Sequence, residues 1–155
     1  MPDSAITKRA LAQAMKELMA RHPFAKISVG DICEACGMNR KSFYYHFQDK
    51  YDLVNWIFYT EFLESIHMTD YPNGWEFLED ICRYFYREQR FYLNAMQIQG
   101  QNSFRDYFGE VVTPLLMAFS QDLFHGVENA SFYVTFFSDA FLISIVRWLS
   151  EGVQT

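Results

Sequence analysis

The chain has 155 residues, half of them hydrophobic and 21% charged, which excludes a disordered polypeptide and leaves one domain-sized unit or two small ones sharing a core. The longest apolar stretch, Ala130 to Leu149, is interrupted by Asp139 and Arg147, which argues against a membrane span. No basic flank leads into an apolar run at the N-terminus, so no secretory signal is expected. Three cysteines, Cys33, Cys36 and Cys82, are too few and too odd a number for a disulfide framework. A soluble protein of the cytoplasm is the expectation.

The net charge of -6 is unevenly spread. Residues 1–50 carry eight Lys/Arg against five acids, while the remainder carries five Arg, no Lys and fourteen acids. A basic head on an acidic body fits a nucleic-acid-reading end joined to something else, because the field at the contact surface matters more than the total. The rings are split the other way: of 29 Phe, Tyr and Trp only five precede Tyr51, so the body is the aromatic part.

The pattern is helical throughout, and no run alternates as a strand. Ser4 to Arg21 repeats apolar residues at Ile6, Ala10, Ala14 and Leu18, widened by Leu11 and Met15, and His22-Pro23 ends it. Ser28 with Asp31 three residues on predicts a capped second helix with Val29, Ile32, Cys33 and Cys36 on its apolar face, stopped by Gly37. Asn39 caps a third, Arg40 to Phe47, with Phe43 and Phe47 inward. Asp49 caps a fourth that runs through Leu53 and Ile57 towards Ile66. After the break at Tyr71-Pro72-Asn73-Gly74, one helix is predicted from about Trp75 to Ile98. Another covers Ser103 to Phe124, with Pro114 as a kink or junction, and a last one covers Asn129 to Ser150 with Gly152 as its stop. The fold class is all-α: a three-helix head, residues 1–50, joined to a helical body, residues 51–155.

Two short helices separated by Gly37-Met38-Asn39 fit a helix-turn-helix, whose second helix enters the DNA major groove. Phe43 and Phe47, four residues apart, can anchor that helix. Arg40, Lys41, Tyr44, Tyr45 and His46 then offer donors and flat rings to base edges and phosphates, and Ser42 offers a hydroxyl. The helix starts at Ser28 and Asn39 add free N–H groups and a positive dipole end. Periodicity alone also allows Arg40-Lys41 as a solvated pair and Tyr44-Tyr45 as core. A helix this short cannot bury Phe43, Tyr44, Tyr45 and Phe47 on one side, so some rings must face outward.

The run Asp31-Ile32, Gly37, Ser42-Phe43-Tyr44-Tyr45-His46-Phe47, Lys50 and Leu53 resembles the DNA-binding signature of the TetR family of transcription regulators. Residues 5–55 resemble that family's N-terminal domain along their whole length. The resemblance implies a homodimer bound to a palindromic double-stranded DNA operator, with a C-terminal domain for dimerisation and response to an effector. It implies phosphate contacts by Ser28 and Lys50, backbone contacts by Ser42 and Tyr44, and base or near-base contacts by Arg40, Lys41, Tyr45 and His46. Gly30 stands where other members often carry a longer side chain. Repression is the family's usual output, with activation as the alternative.

The body is less informative. Phe132, Phe136, Phe137, Ala140, Phe141, Ile145 and Trp148 make the last helix apolar nearly all round, which suits burial against a partner subunit; an intramolecular core is the other reading. Trp75, Tyr84, Phe85 and Phe91 either line an apolar ligand pocket or pack as core. Residues 16–58 and the Trp148-Leu149-x-x-Gly152 ending resemble a subgroup that includes activators of dihydroxyacetone kinase operons. That likeness implies control by a docked kinase-like protein in place of a free small molecule. Family members commonly continue past this point with a further helix, so either a trimmed chain or a reduced dimer interface is expected.

Cys33 and Cys36 form a CxxC, which is half a zinc site or two packing residues on the inward face of a helix. No second CxxC or spaced His pair accompanies it, and no phosphate loop or nucleophile–base order stands out. No metal, cofactor or catalytic activity is expected.

Overall fold

A computed structural model of the chain describes residues 2–121 and 124–152. Its described residues form eight α-helices, three short 3₁₀ turns and no strand. The helices are α1 (Pro2–Met19), α2 (Val29–Cys36), α3 (Arg40–His46), α4 (Lys50–Glu61), α5 (Gly74–Arg87), α6 (Gln89–Met96), α7 (Phe104–Ser120) and α8 (Ala130–Ser150). They divide into two compact units, Met1–Ser65 with Asn94–Phe104, and Ile66–Leu93 with Arg105–Thr155.

In the first unit the caps follow the local sequence. The Ser28 hydroxyl accepts from the Asp31 N–H at 3.0 Å, and the Asp31 carboxylate accepts from the Ser28 N–H at 2.9 Å, a reciprocal capping box. Asn39 and Asp49 each accept from the backbone N–H three residues on, at 2.8 Å. Gly37 closes α2 at φ +68°, a left-handed conformation suited to glycine. The core is built on Leu11, Met15, Ile32, Phe43, Leu53 and Ile57, all fully buried. The apolar stripe of α1 is therefore rotated from the expected one: Leu11, Met15 and Met19 lead it, while Ile6 is 63% exposed. Lys16 in α1 pairs with Glu61 in α4 at 2.9 Å.

In the second unit Asn73 caps α5 by accepting from the Glu76 N–H. The single helix expected from Trp75 to Ile98 is two helices, broken at Glu88. The break lets Tyr92 turn back on α5, where its ring lies 4.6 Å from Phe85 and its hydroxyl lies 2.7 Å from that of Tyr84. That buried aromatic cluster stabilises the bend, and no glycine or proline marks it in the sequence. Pro114, expected to kink or divide its segment, lies inside one helix that ends at Ser120, short of the Phe124 expected. α4 likewise stops at Glu61 and passes into a 3₁₀ turn, Leu63–Ser65. Among the described residues one helix, α8, is long and apolar enough to cross a membrane by length and composition, and only 22% of that stretch is buried.

Candidate nucleic-acid interface

The α2–turn–α3 arrangement is a helix-turn-helix, and α3 carries both of the roles that its sequence demands. Phe43 and Phe47 are 0% and 2% exposed. Their rings lie 5.8 Å apart, and Phe47 packs edge-on against Trp56 of α4. Lys8 of α1 lies 5.9 Å and 5.5 Å from the Phe47 and Trp56 rings, within cation–π range. These anchors fix how α3 is rotated. Tyr45 is in consequence 82% exposed and Tyr44 56%, and Arg40 and Lys41 are exposed as well. Ser42 is half-buried. His46 is also half-buried, its Nδ1 3.5 Å from the Ser4 hydroxyl and its ring edge-on to Tyr45. A helix anchored by two buried rings and presenting two cations and two phenols has the chemistry for reading a groove.

Ser28 lies on the surface, at the start of α2. Its oxygen accepts the capping bond, which leaves the hydroxyl proton to donate. The Ser28 hydrogen bonds hold the Asp31 carboxyl below the usual carboxylate range. Lys50 is less simple than its motif suggests. Its ammonium donates to the carbonyls of Phe24 at 2.9 Å and Ile27 at 2.8 Å, and it lies 4.2 Å from the Phe24 ring centroid. Burial lowers its pKa, while the nearby Asp31 charge opposes that shift. This latch between α4 and the α1–α2 connection is invisible to motif reasoning.

Asn94 was missed for the same reason. Its Nδ2 donates to the carbonyls of Met19 at 2.9 Å and His22 at 2.8 Å, and its Oδ1 accepts from the Phe24 N–H at 3.1 Å. One side chain thus satisfies groups freed where α1 ends.

A family profile described as bacterial regulatory proteins, tetR family, matches residues 7–57, and one described as transcriptional regulator C-terminal region matches residues 73–155. The chain belongs to the TetR family. The helix-turn-helix lies within the residues that the tetR-family profile matches. It is 34% identical over 109 residues to the HTH-type dhaKLM operon transcriptional activator DhaS of Lactococcus lactis subsp. lactis; the match takes in 70% of this chain and 57% of that activator. Among solved structures, a dihydroxyacetone kinase operon activator DhaS superposes with a TM-score of 0.69 at 28% identity, covering 96% of this chain and 86% of that one. NalD of Pseudomonas aeruginosa, the secondary repressor of the MexAB-OprM multidrug efflux pump, gives the same TM-score at 18% identity, over 95% of this chain and 86% of that one, a likeness of fold.

In the body of this TetR-family chain, the four rings considered for a pocket are not brought together. Trp75 is 78% exposed at the start of α5, whereas Tyr84, Phe85 and Phe91 are buried. Tyr84 and Phe85 pack with Tyr92, and Phe85 also meets Phe108 at 5.5 Å. These three rings are core. Along α8, Phe132, Phe136 and Phe137 are each more than half exposed. Ala140 is exposed, and Phe141 and Trp148 are half-buried. Ile145, at 4%, faces inward and leaves the exposed strip, while Ile143, at 60%, joins it.

Of the CxxC pair, Cys33 is buried and Cys36 half-buried, and both sulfurs are taken up by backbone carbonyls. Cys33 donates its thiol proton to the Asn39 carbonyl at 3.5 Å, and Cys36 donates to Ile32 at 3.3 Å. Burial pushes both thiols up, away from the thiolate form that metal ligation and nucleophilic attack require.

Proposed function

We propose that this regulator binds a palindromic operator as a homodimer in the cytoplasm, its two α3 helices entering successive major grooves. The observation that carries the reading is the rotation of α3: Phe43 and Phe47 are buried while Tyr45 is 82% exposed. Arg40, Lys41, Tyr45 and His46 address base edges. Ser28, Ser42 and Tyr44 address phosphates, and Lys50 adds its charge beside Ser28. The second copy docks on the exposed aromatic strip of α8, which suits an interface centre. An effector that favours one spacing of the heads shifts the equilibrium and so changes DNA affinity. Nothing in this reading calls for catalysis.

Selection of bound sites from random duplex DNA, followed by a salt titration on the winner, tests it. The expected result is a palindrome with half-sites about one helical turn or slightly more apart, bound with a steep salt slope. Failure to enrich any sequence would remove the reading.

Activation in place of repression, under the control of a docked protein, is a second reading. It is favoured by the 34% identity to a protein named as an operon activator. A promoter reporter gives the sign of regulation, and affinity capture with and without operator DNA tests for the protein.

A further inference from the structure

Arg40 begins α3, yet its side chain reaches across to the first turn of α2. A Cβ added to Gly30 would lie 2.9 Å from an Arg40 Nη and 3.6 Å from its Cζ. The guanidinium is thus seated where another residue's side chain would begin. Among the described residues no hydrogen bond or ion pair ties it there. The seat is one wall of a surface hollow that Ser28, Asp31, Glu34 and Asn39 also line. Gly30 has no backbone reason to be glycine, since it is not among the glycines at positive φ. Inside a helix, glycine is a poor choice. Room for Arg40 is the reason the structure offers.

We propose that Gly30 is a specificity-determining residue of the head: by having no side chain it lets Arg40 lie across α2, and that seat decides which part of the DNA the guanidinium reaches. The inference rests on the DNA-binding reading above, with Arg40 as a reader. A methyl group at position 30 would push the flexible end of Arg40 aside at little cost to the fold. It would alter sequence preference without touching DNA itself.

The test is a double-mutant cycle on the full chain, using the wild type, G30A, R40A and G30A/R40A. Binding is measured to the selected operator and to every single-base-pair variant of it, with thermal melts to show that each protein is folded. G30A is expected to change discrimination by about tenfold at the base pairs where R40A also acts. In the R40A background, G30A is expected to change nothing. In the DNA-free protein, the Arg40 Nε–Hε resonance is expected to move in G30A. Additive effects, or an unmoved resonance, overturn the inference while leaving DNA binding intact. A wild type that enriches no sequence removes the DNA-binding reading and this inference with it.

Discussion

The ammonium of Lys50 sits 2.9 Å from the carbonyl oxygen of Phe24 and 4.2 Å from the centroid of the same residue's ring. Its second bond, to Ile27, ends one residue before Ser28, so the first residue of α4 secures the approach to α2. Replacing Lys50 by Ala leaves these carbonyls without their donor and is expected to cost about 1–3 kcal/mol in a denaturant melt. If Lys50 also faces a phosphate, affinity falls about equally on all sequences and the salt slope drops by about one unit. An unchanged slope with a lowered midpoint would make Lys50 a latch alone.

Among the described large hydrophobic side chains of the head, Tyr45 is the most exposed, at 82%. Tyr45→Ala is expected to leave stability within about 0.5 kcal/mol, because little packing is lost. Operator binding is expected to weaken by about 1 kcal/mol or more. Fluorescence anisotropy beside a thermal melt separates the two, and unchanged operator affinity would take Tyr45 out of the interface.

Asn94 closes the end of α1 with three hydrogen bonds from one carboxamide. Asn94→Ala is expected to destabilise by about 1–3 kcal/mol. Asn94→Asp should be worse at neutral pH, since it keeps the acceptor for Phe24 but turns a carboxylate towards the Met19 and His22 carbonyls. Denaturant midpoints check the order, and an Asn94→Asp midpoint equal to the wild type's would mean that the two donated bonds carry no weight.

The strip on α8 predicts opposite outcomes for neighbouring residues. Phe132→Glu with Phe136→Glu places charge on exposed rings and is expected to halve the mass in sedimentation while leaving the protomer folded. Operator affinity should fall with it. Ile145→Ala acts inside the unit and is expected to cost about 2–5 kcal/mol of stability. A double Glu variant that remains a dimer would move the interface elsewhere.

Asp31 gives the head an acid-sensitive cap. Its pKa is lowered on folding by the hydrogen bonds from Ser28. Its contribution is therefore complete above its ordinary value of 3.8 and is lost as pH falls through the lower folded value. Asp31→Asn should be less stable than the wild type at neutral pH, and the gap should close in acid. A gap independent of pH would assign the effect to packing.

The sequence by itself determined the caps at Ser28, Asn39 and Asp49, the stop at Gly37, and the inward Phe43 and Phe47. Each of these is settled within about one turn of helix, by a side chain meeting a backbone group three or four residues away. The signature in the head, legible for the same reason, also gave the family. Tertiary structure alone decided the rest. Lys50 finds its carbonyls 26 and 23 residues back, and Asn94 finds its partners 70 to 75 residues away. The break at Glu88 follows from Tyr92 packing on Phe85, and the apolar stripe of α1 is led by Leu11, Met15 and Met19 because of what packs against it. Arg40 and Gly30 meet only because the turn brings α3 back across α2. Such contacts depend on how whole helices dock, and helical periodicity marks an apolar face without naming the residue that will meet it.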